Sequence, residues 1–91
     1  MSTLSQTERK ILKQAAHHLK PVILTGSKGL TEAVHKEIAR ALFDHELIKI
    51  KVSAQEREDR DKMIETILSQ HEAVLVQRVG HTATIYKKKE E

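Results

Sequence analysis

The 91-residue chain is predicted to fold as a single α/β domain with a mixed four-stranded sheet flanked by helices. Three observations predict this. Helical and strand-like apolar periods alternate along the chain, a Gly26-Ser27-Lys28-Gly29 turn lies where a strand-like run meets a helical one, and Gly80-His81 separates the last two β-rich runs. The order that results is α-β-α-β-α-β-β. Strands joined through helices can pair in parallel, whereas the closing hairpin must be antiparallel.

Each element has its own signal. Ser5 followed by Glu8 has the spacing of a capping box, and Leu12, Ala15, Ala16 and Leu19 recur at helical spacing, which predicts a helix from Gln6 to about His18. Pro21 stops it, having no amide donor and disfavouring helix in the residue before it. Val22-Ile23-Leu24-Thr25 reads as a short strand. Thr31 can cap a second helix with Val34, Ile38, Ala41 and Leu42 on its inner face, ending near Asp44. On a helix continued further, Phe43 would project to the polar side.

Leu47 to Val52 alternates apolar and basic residues, placing Ile48, Ile50 and Val52 on one face of a strand and Lys49 and Lys51 on the other. Gln55 to Gln70 opens with acidic residues suited to a helix N-terminal turn and continues with Met63, Ile64, Ile67 and Leu68 at helical spacing. Val74 to Val79 and Thr82 to Tyr86 form the hairpin strands. Lys87 to Glu91 reads as a frayed charged tail.

Composition narrows the function classes. With no cysteine, disulfides, thiol catalysis and thiolate metal sites are excluded. The first residues carry no apolar leader core and no run is long enough to span a bilayer, so a cytoplasmic protein without a membrane partner is expected. The net charge of +3 is unevenly placed: residues 1–55 hold nine Lys/Arg against five Asp/Glu, and residues 56–70 hold three against five. A basic first half suits a polyanion, although a solvated surface has the same composition.

The Gly26-Ser27-Lys28-Gly29 loop gives that charge a focus. Its glycines permit backbone angles closed to other residues and allow close approach of a ligand, and the following helix adds free amides and a partial positive charge. Such a loop suits a backbone phosphate of RNA, with Ser27 and local amides donating and Lys28 as counter-charge. A GxxG tetrapeptide alone is also an ordinary tight turn. Context comes from Lys10, Lys13 and His17, which fall on one stripe of the first helix, with Lys20 near its end. Secondary candidates for RNA contact are His17, Arg40, Lys49, Lys51 and Lys87. Glu32 stands four residues before Lys36 and is expected to neutralise it, leaving Arg40 the freer charge.

Other chemistries fit poorly. The loop lacks the spacing and ending of a Walker A motif, and one Phe with one Tyr cannot build an aromatic stacking platform. The six histidines, at 17, 18, 35, 45, 71 and 81, show no recognised ligand motif. Glu56, Glu58, Asp59 and Asp61 alternate with Arg57, Arg60 and Lys62, as an internally paired helix start would. No catalytic residue, cofactor or small-molecule substrate is indicated, and a monomer is expected.

Four ordered stretches resemble the CRM (chloroplast RNA splicing and ribosome maturation) domain, in particular its bacterial single-domain members of the YhbY type: Lys13 to Val22, Gly26 to Glu32, His45 to Val52, and Gly80-His81 leading to Ile85-Tyr86-Lys87. The resemblance spans about Leu4 to Lys87. It implies a sheet-and-helix fold similar to the C-terminal domain of bacterial translation initiation factor three. It also implies RNA binding, with ribosomal RNA in large-subunit precursors as partner during ribosome biogenesis. The family's GxxG loop maps onto Gly26, Ser27, Lys28 and Gly29, and its basic helix surface onto Lys10, Lys13 and Lys20. Where the family often carries an arginine after the last tyrosine, this chain has Lys87, which keeps the charge without the planar fork.

Two rival readings stand beside this one: a protein–protein adaptor using its sheet face, and a metal-dependent hydrolase using His17, His18 and nearby carboxylates.

Overall fold

A computed structural model describes residues 4–26 and 29–88. The elements are α1 (Gln6–Ala16), β1 (Ile23–Leu24), α2 (Glu32–His45), β2 (Leu47–Lys51), α3 (Arg57–His71), β3 (Val74–Val79) and β4 (Thr82–Tyr86). The order is the expected one, with helix and strand ends moved by a residue or two.

The start of α1 is the capping box read from its spacing. The Glu8 N–H donates to the Ser5 hydroxyl and the Ser5 N–H to the Glu8 carboxylate, each at 3.1 Å. The Ser5 backbone N–H first, and then the Ser5 side chain, hold the Glu8 carboxyl below its usual pKa. The helix is shorter than predicted, ending at Ala16 with His17 as its cap. Of its expected apolar face only Ala16 is buried; Ala15 and Leu19 are exposed, because the chain leaves the helix before Leu19 can turn inward.

The strands pair in the order β1-β2-β4-β3. β1 runs parallel to β2, and β4 is antiparallel to both β2 and β3. The last strand in sequence is therefore an inner strand of the sheet. One sheet face carries Ile48, Ile50, Val52, Ala83 and Ile85, which form a core with Ile38 and Leu42 of α2, Ile64 and Ile67 of α3, and Ile23. Burying each such side chain contributes roughly 1.5–3 kcal/mol, so this isoleucine-rich layer is the main source of stability.

The period of two sends Leu47, Lys49 and Lys51 to the opposite face, where α1 packs on β2 and β3. Ala16 and Val76 are buried there, outside the main core. A bulge between Leu75 and Gln77 makes this two-sided arrangement possible. Leu75 sits opposite Ile85 on the core face, Val76 is the extra residue, and Gln77 sits opposite Thr84 on the α1 face. A bulge leaves ladder carbonyls unpaired, and Arg9 of α1 fills the gap: its guanidinium donates to the carbonyls of Leu75 and, at 3.1 Å, Val76. Arg9 shares the inner stripe with Leu12 and Ala16 at spacings of three and four.

Helices α2 and α3 end without glycine. Their caps are Glu46 at φ 62° and Glu72 at φ 53°. α2 thus runs on to His45, and Phe43 is exposed. The start of α3 is tied differently from the expectation of internal pairing. Arg60 donates to the carbonyls of Ala54 and Gln55, at 3.0 and 2.7 Å, and Asp61 pairs across to Arg78 of β3. That guanidinium holds the Asp61 carboxyl below its usual pKa. Lys87, expected in the frayed tail, donates its N–H to the Glu46 carbonyl at 2.9 Å; residues 89–91 lie outside the described residues.

Candidate nucleic-acid interface

The glycine loop hangs from the end of β2. The Thr25 N–H donates to the Lys51 carbonyl at 3.0 Å, and the buried Thr25 hydroxyl accepts the Ser53 N–H at 3.0 Å. The Ser53 hydroxyl donates to the Thr25 carbonyl. Gly26 and Gly29 face each other as an antiparallel bridge, with the Gly29 N–H on the Gly26 carbonyl at 3.0 Å. Thr31 then caps α2 by accepting the Val34 N–H at 3.2 Å. Ser27 and Lys28, the expected donor and counter-charge, lie outside the described residues.

The two glycines differ in what they do. Gly29 has φ 73°, the left-handed region where a Cβ is strained, so the turn itself requires it. Gly26 has no such angle, and among the described residues a Cβ built there meets nothing within 4 Å. Among the described residues nothing in the fold requires glycine at 26. Open space over a backbone with no side chain is what close approach of a ligand needs.

One of the expected basic residues lies beside this loop, and two more lead away from it along the strands. The Val22 N–H donates to the Lys49 carbonyl at 3.0 Å, so a line along the paired strands places Lys20, then Lys49, then Lys51 beside the chain that leads into Gly26. Lys49 is half-buried and Lys51 exposed. His17 lies beside Lys49 from the helix side, and Lys20 shares a second groove with Lys49. Lys10 and Lys13 are exposed on α1, further from the loop.

Two secondary candidates are elsewhere. Arg40 is on α2, which packs against the core face, and lies 3.9 Å from Asp44. The ion pair on that helix is therefore Arg40–Asp44 rather than the expected Glu32–Lys36, among the described residues. Lys87 follows β4 at the end of the sheet remote from the loop, near His71.

The histidines divide by location. His17 and His18 are exposed, and among the described residues no group of three His, Cys, Asp or Glu side chains could hold a metal ion. The hydrolase reading therefore has no site to occupy among them. His35 and His71 stack with ring centroids 5.1 Å apart and share a hydrogen bond of 2.9 Å between Nδ1 and Nε2. Burial first, then His35 and Lys87, pull the His71 pKa below its ordinary value. His81 lies within 3.1 Å of the Val52 carbonyl through Nδ1.

Sequence reasoning missed Arg9, the Thr25–Ser53 bonds and the polar row of β4. The signals were present: Arg9 repeats with Leu12 and Ala16, and Thr82, Thr84 and Tyr86 alternate with Ala83 and Ile85.

A glycine loop at a strand-to-helix junction, with a basic line on one side of a mixed sheet, defines a small α/β domain with three helices and four strands. The chain belongs to the CRS1 / YhbY (CRM) domain family, whose model matches residues 4–87. It is 45% identical over 91 residues to a Haemophilus influenzae protein named "RNA-binding protein", covering 100% of this chain and 92% of that one. It is 34% identical over 88 residues to a Bacillus subtilis protein named "Probable RNA-binding protein", covering 97% of this chain and 92% of that one. The fold matches the solution structure of a Staphylococcus aureus protein, put forward as RNA-binding, with a TM-score of 0.82 and 29% identity. That match covers 98% of this chain and 93% of the other. Among the described residues no helix is long and apolar enough to cross a membrane.

Proposed function

We propose that the chain binds RNA as a non-enzymatic ribosome assembly factor, contacting large-subunit ribosomal RNA through its phosphates. The observation that carries this reading is Gly26, a glycine the fold does not require, placed beside Lys51 at the head of a basic line. The family and the names of its relatives agree in the partner class. Gly26, Ser27, Lys28 and Gly29 form the anchor, and Lys20, Lys49, Lys51 and His17 carry the strand from it. Lys10 and Lys13 extend the surface along α1. Phosphate contacts position RNA without reading its sequence.

The test is binding to deproteinised large-subunit ribosomal RNA at two salt concentrations. With four phosphate contacts, affinity falls about 100-fold between 50 and 200 mM salt. Gly26→Glu and Lys28→Ala weaken binding while circular dichroism stays native. Native variants with undiminished affinity would remove the loop from the interface. Co-sedimentation of the protein with precursors of the large subunit tests the assembly role separately.

A further inference from the structure

The α1 face of the sheet is only half covered. α1 lies over the part nearest the start of β3, and beyond its end a groove opens whose floor is a row across three strands: Lys49 of β2, Thr84 of β4 and Gln77 of β3, each opposite its neighbour in register. Thr82 lies one step further along β4, and His17 and Pro21 form the wall on the helix side.

The groove differs from an ordinary solvated surface in its polar groups. Thr84 is only 3% exposed as a residue, yet its hydroxyl has no hydrogen-bond partner among the described residues and is not among the buried unsatisfied atoms, so it opens into the groove. The Gln77 side-chain amide is likewise unpaired among the described residues. Lys49 is half-buried and lines the same space. An imidazole and a proline ring on one side supply flat apolar surface. A wall for a ring and a floor of donors and acceptors are the two parts needed to hold an unpaired base.

We infer that this groove is a specificity slot for one unpaired RNA base that has carbonyl oxygens and no amino group on its pairing edge, uracil. The inference rests on the RNA-binding reading and adds what the phosphate loop cannot supply, a preference among bases. The donor balance selects the base. The Lys49 ammonium only donates, whereas Gln77 and the threonine hydroxyls both donate and accept, so the groove has a surplus of donors. That surplus suits the two carbonyls of uracil, O2 and O4, whereas cytosine, which shares O2, turns an amino group toward the cation in place of O4. The groove lies on the same side of the sheet as Lys51, so a strand anchored at the loop has a basic path to the slot.

The experiment compares oligouridylate with oligocytidylate of equal length, which differ at the position Lys49 would meet, by fluorescence anisotropy with the full chain. The wild type is expected to bind oligouridylate about fivefold or more tightly. Lys49→Met and Gln77→Ala each bring the ratio toward one, and Thr84→Val, which keeps the buried shape, reports on the same ratio should either strand variant unfold. Lys28→Ala weakens both oligomers by a common factor and keeps the ratio. Equal wild-type affinities, or a preference that survives Lys49→Met and Gln77→Ala, overturns the slot while leaving the phosphate reading intact. Binding to ribosomal RNA with none to either oligomer also overturns it, since the slot needs an unpaired base. Absence of binding to any RNA removes the RNA-binding reading, and the slot with it.

Discussion

At the residue scale the glycine loop separates what the backbone needs from what a ligand needs. Gly29→Ala places a Cβ on a left-handed residue and is expected to lower stability by about 1–2 kcal/mol. Gly26→Ala, in open space and without a positive φ, is expected to stay within about 0.5 kcal/mol of the parent. Urea denaturation of both proteins checks the contrast; equal losses would mean that Gly26 is also a structural glycine. The His35–His71 pair gives a second expectation. The folded His71 pKa is depressed, so the unfolded chain takes up its proton first, and stability present above the ordinary histidine pKa is lost as pH falls through and below it. His71→Gln removes the titration while retaining a hydrogen-bonding side chain. Unfolding free energies between pH 7.5 and 5.5 should then decline less steeply than in the parent. The tetrapeptide was legible in the sequence, but the separate duties of its glycines depend on angles that composition does not report.

At the element scale, α1 is held by both its cap and its contact with the sheet. Ser5→Ala is expected to cost about 1 kcal/mol through loss of the capping box. Arg9→Ala should cost about 1–3 kcal/mol, because it leaves the bulge carbonyls of Leu75 and Val76 without their donor. Thermal unfolding measures both, and a neutral Arg9→Ala would show that water satisfies the bulge equally well. The capping box and the strand alternation were readable because each is a short-range pattern with a fixed period. Helix ends were less so: Glu46 and Glu72 stop α2 and α3 at positive φ, where the usual signal would be glycine. The bulge in β3 was not readable, since Leu75, Val76 and Gln77 carry no mark of which residue is the extra one. It is this bulge that turns Gln77 toward the groove.

At the scale of the whole molecule, the sequence reading placed α1 and the sheet correctly in kind, yet could not say which sheet face remains open. That depends on where an 11-residue helix comes to rest on β2 and β3, a contact between residues far apart in the chain. The answer is that the Lys49–Lys51 face is covered at one end and open at the other, which puts Lys51 beside the loop, sets Lys49 and Lys20 successively further along the same side, and leaves Arg40 and Lys87 off that line.

The strand order has a consequence for how the chain comes to be folded. β2 finds its antiparallel partner only in β4, more than thirty residues later, and β3 meets β2 only through β4. A nascent chain that has emerged as far as Gly80 therefore holds three helices and three strands with a missing inner rung. Contacts of such long sequence separation form late. A fragment ending at Gly80 is expected to lack the cooperative unfolding transition of the full chain, and adding a synthetic peptide spanning Thr82 to Lys87 should restore it in part. A fragment that unfolds cooperatively by itself would show that the α2–α3 layer nucleates without its central strand. On this ordering the proposed binding surface is complete only once β4 has been made and slides between two strands made before it.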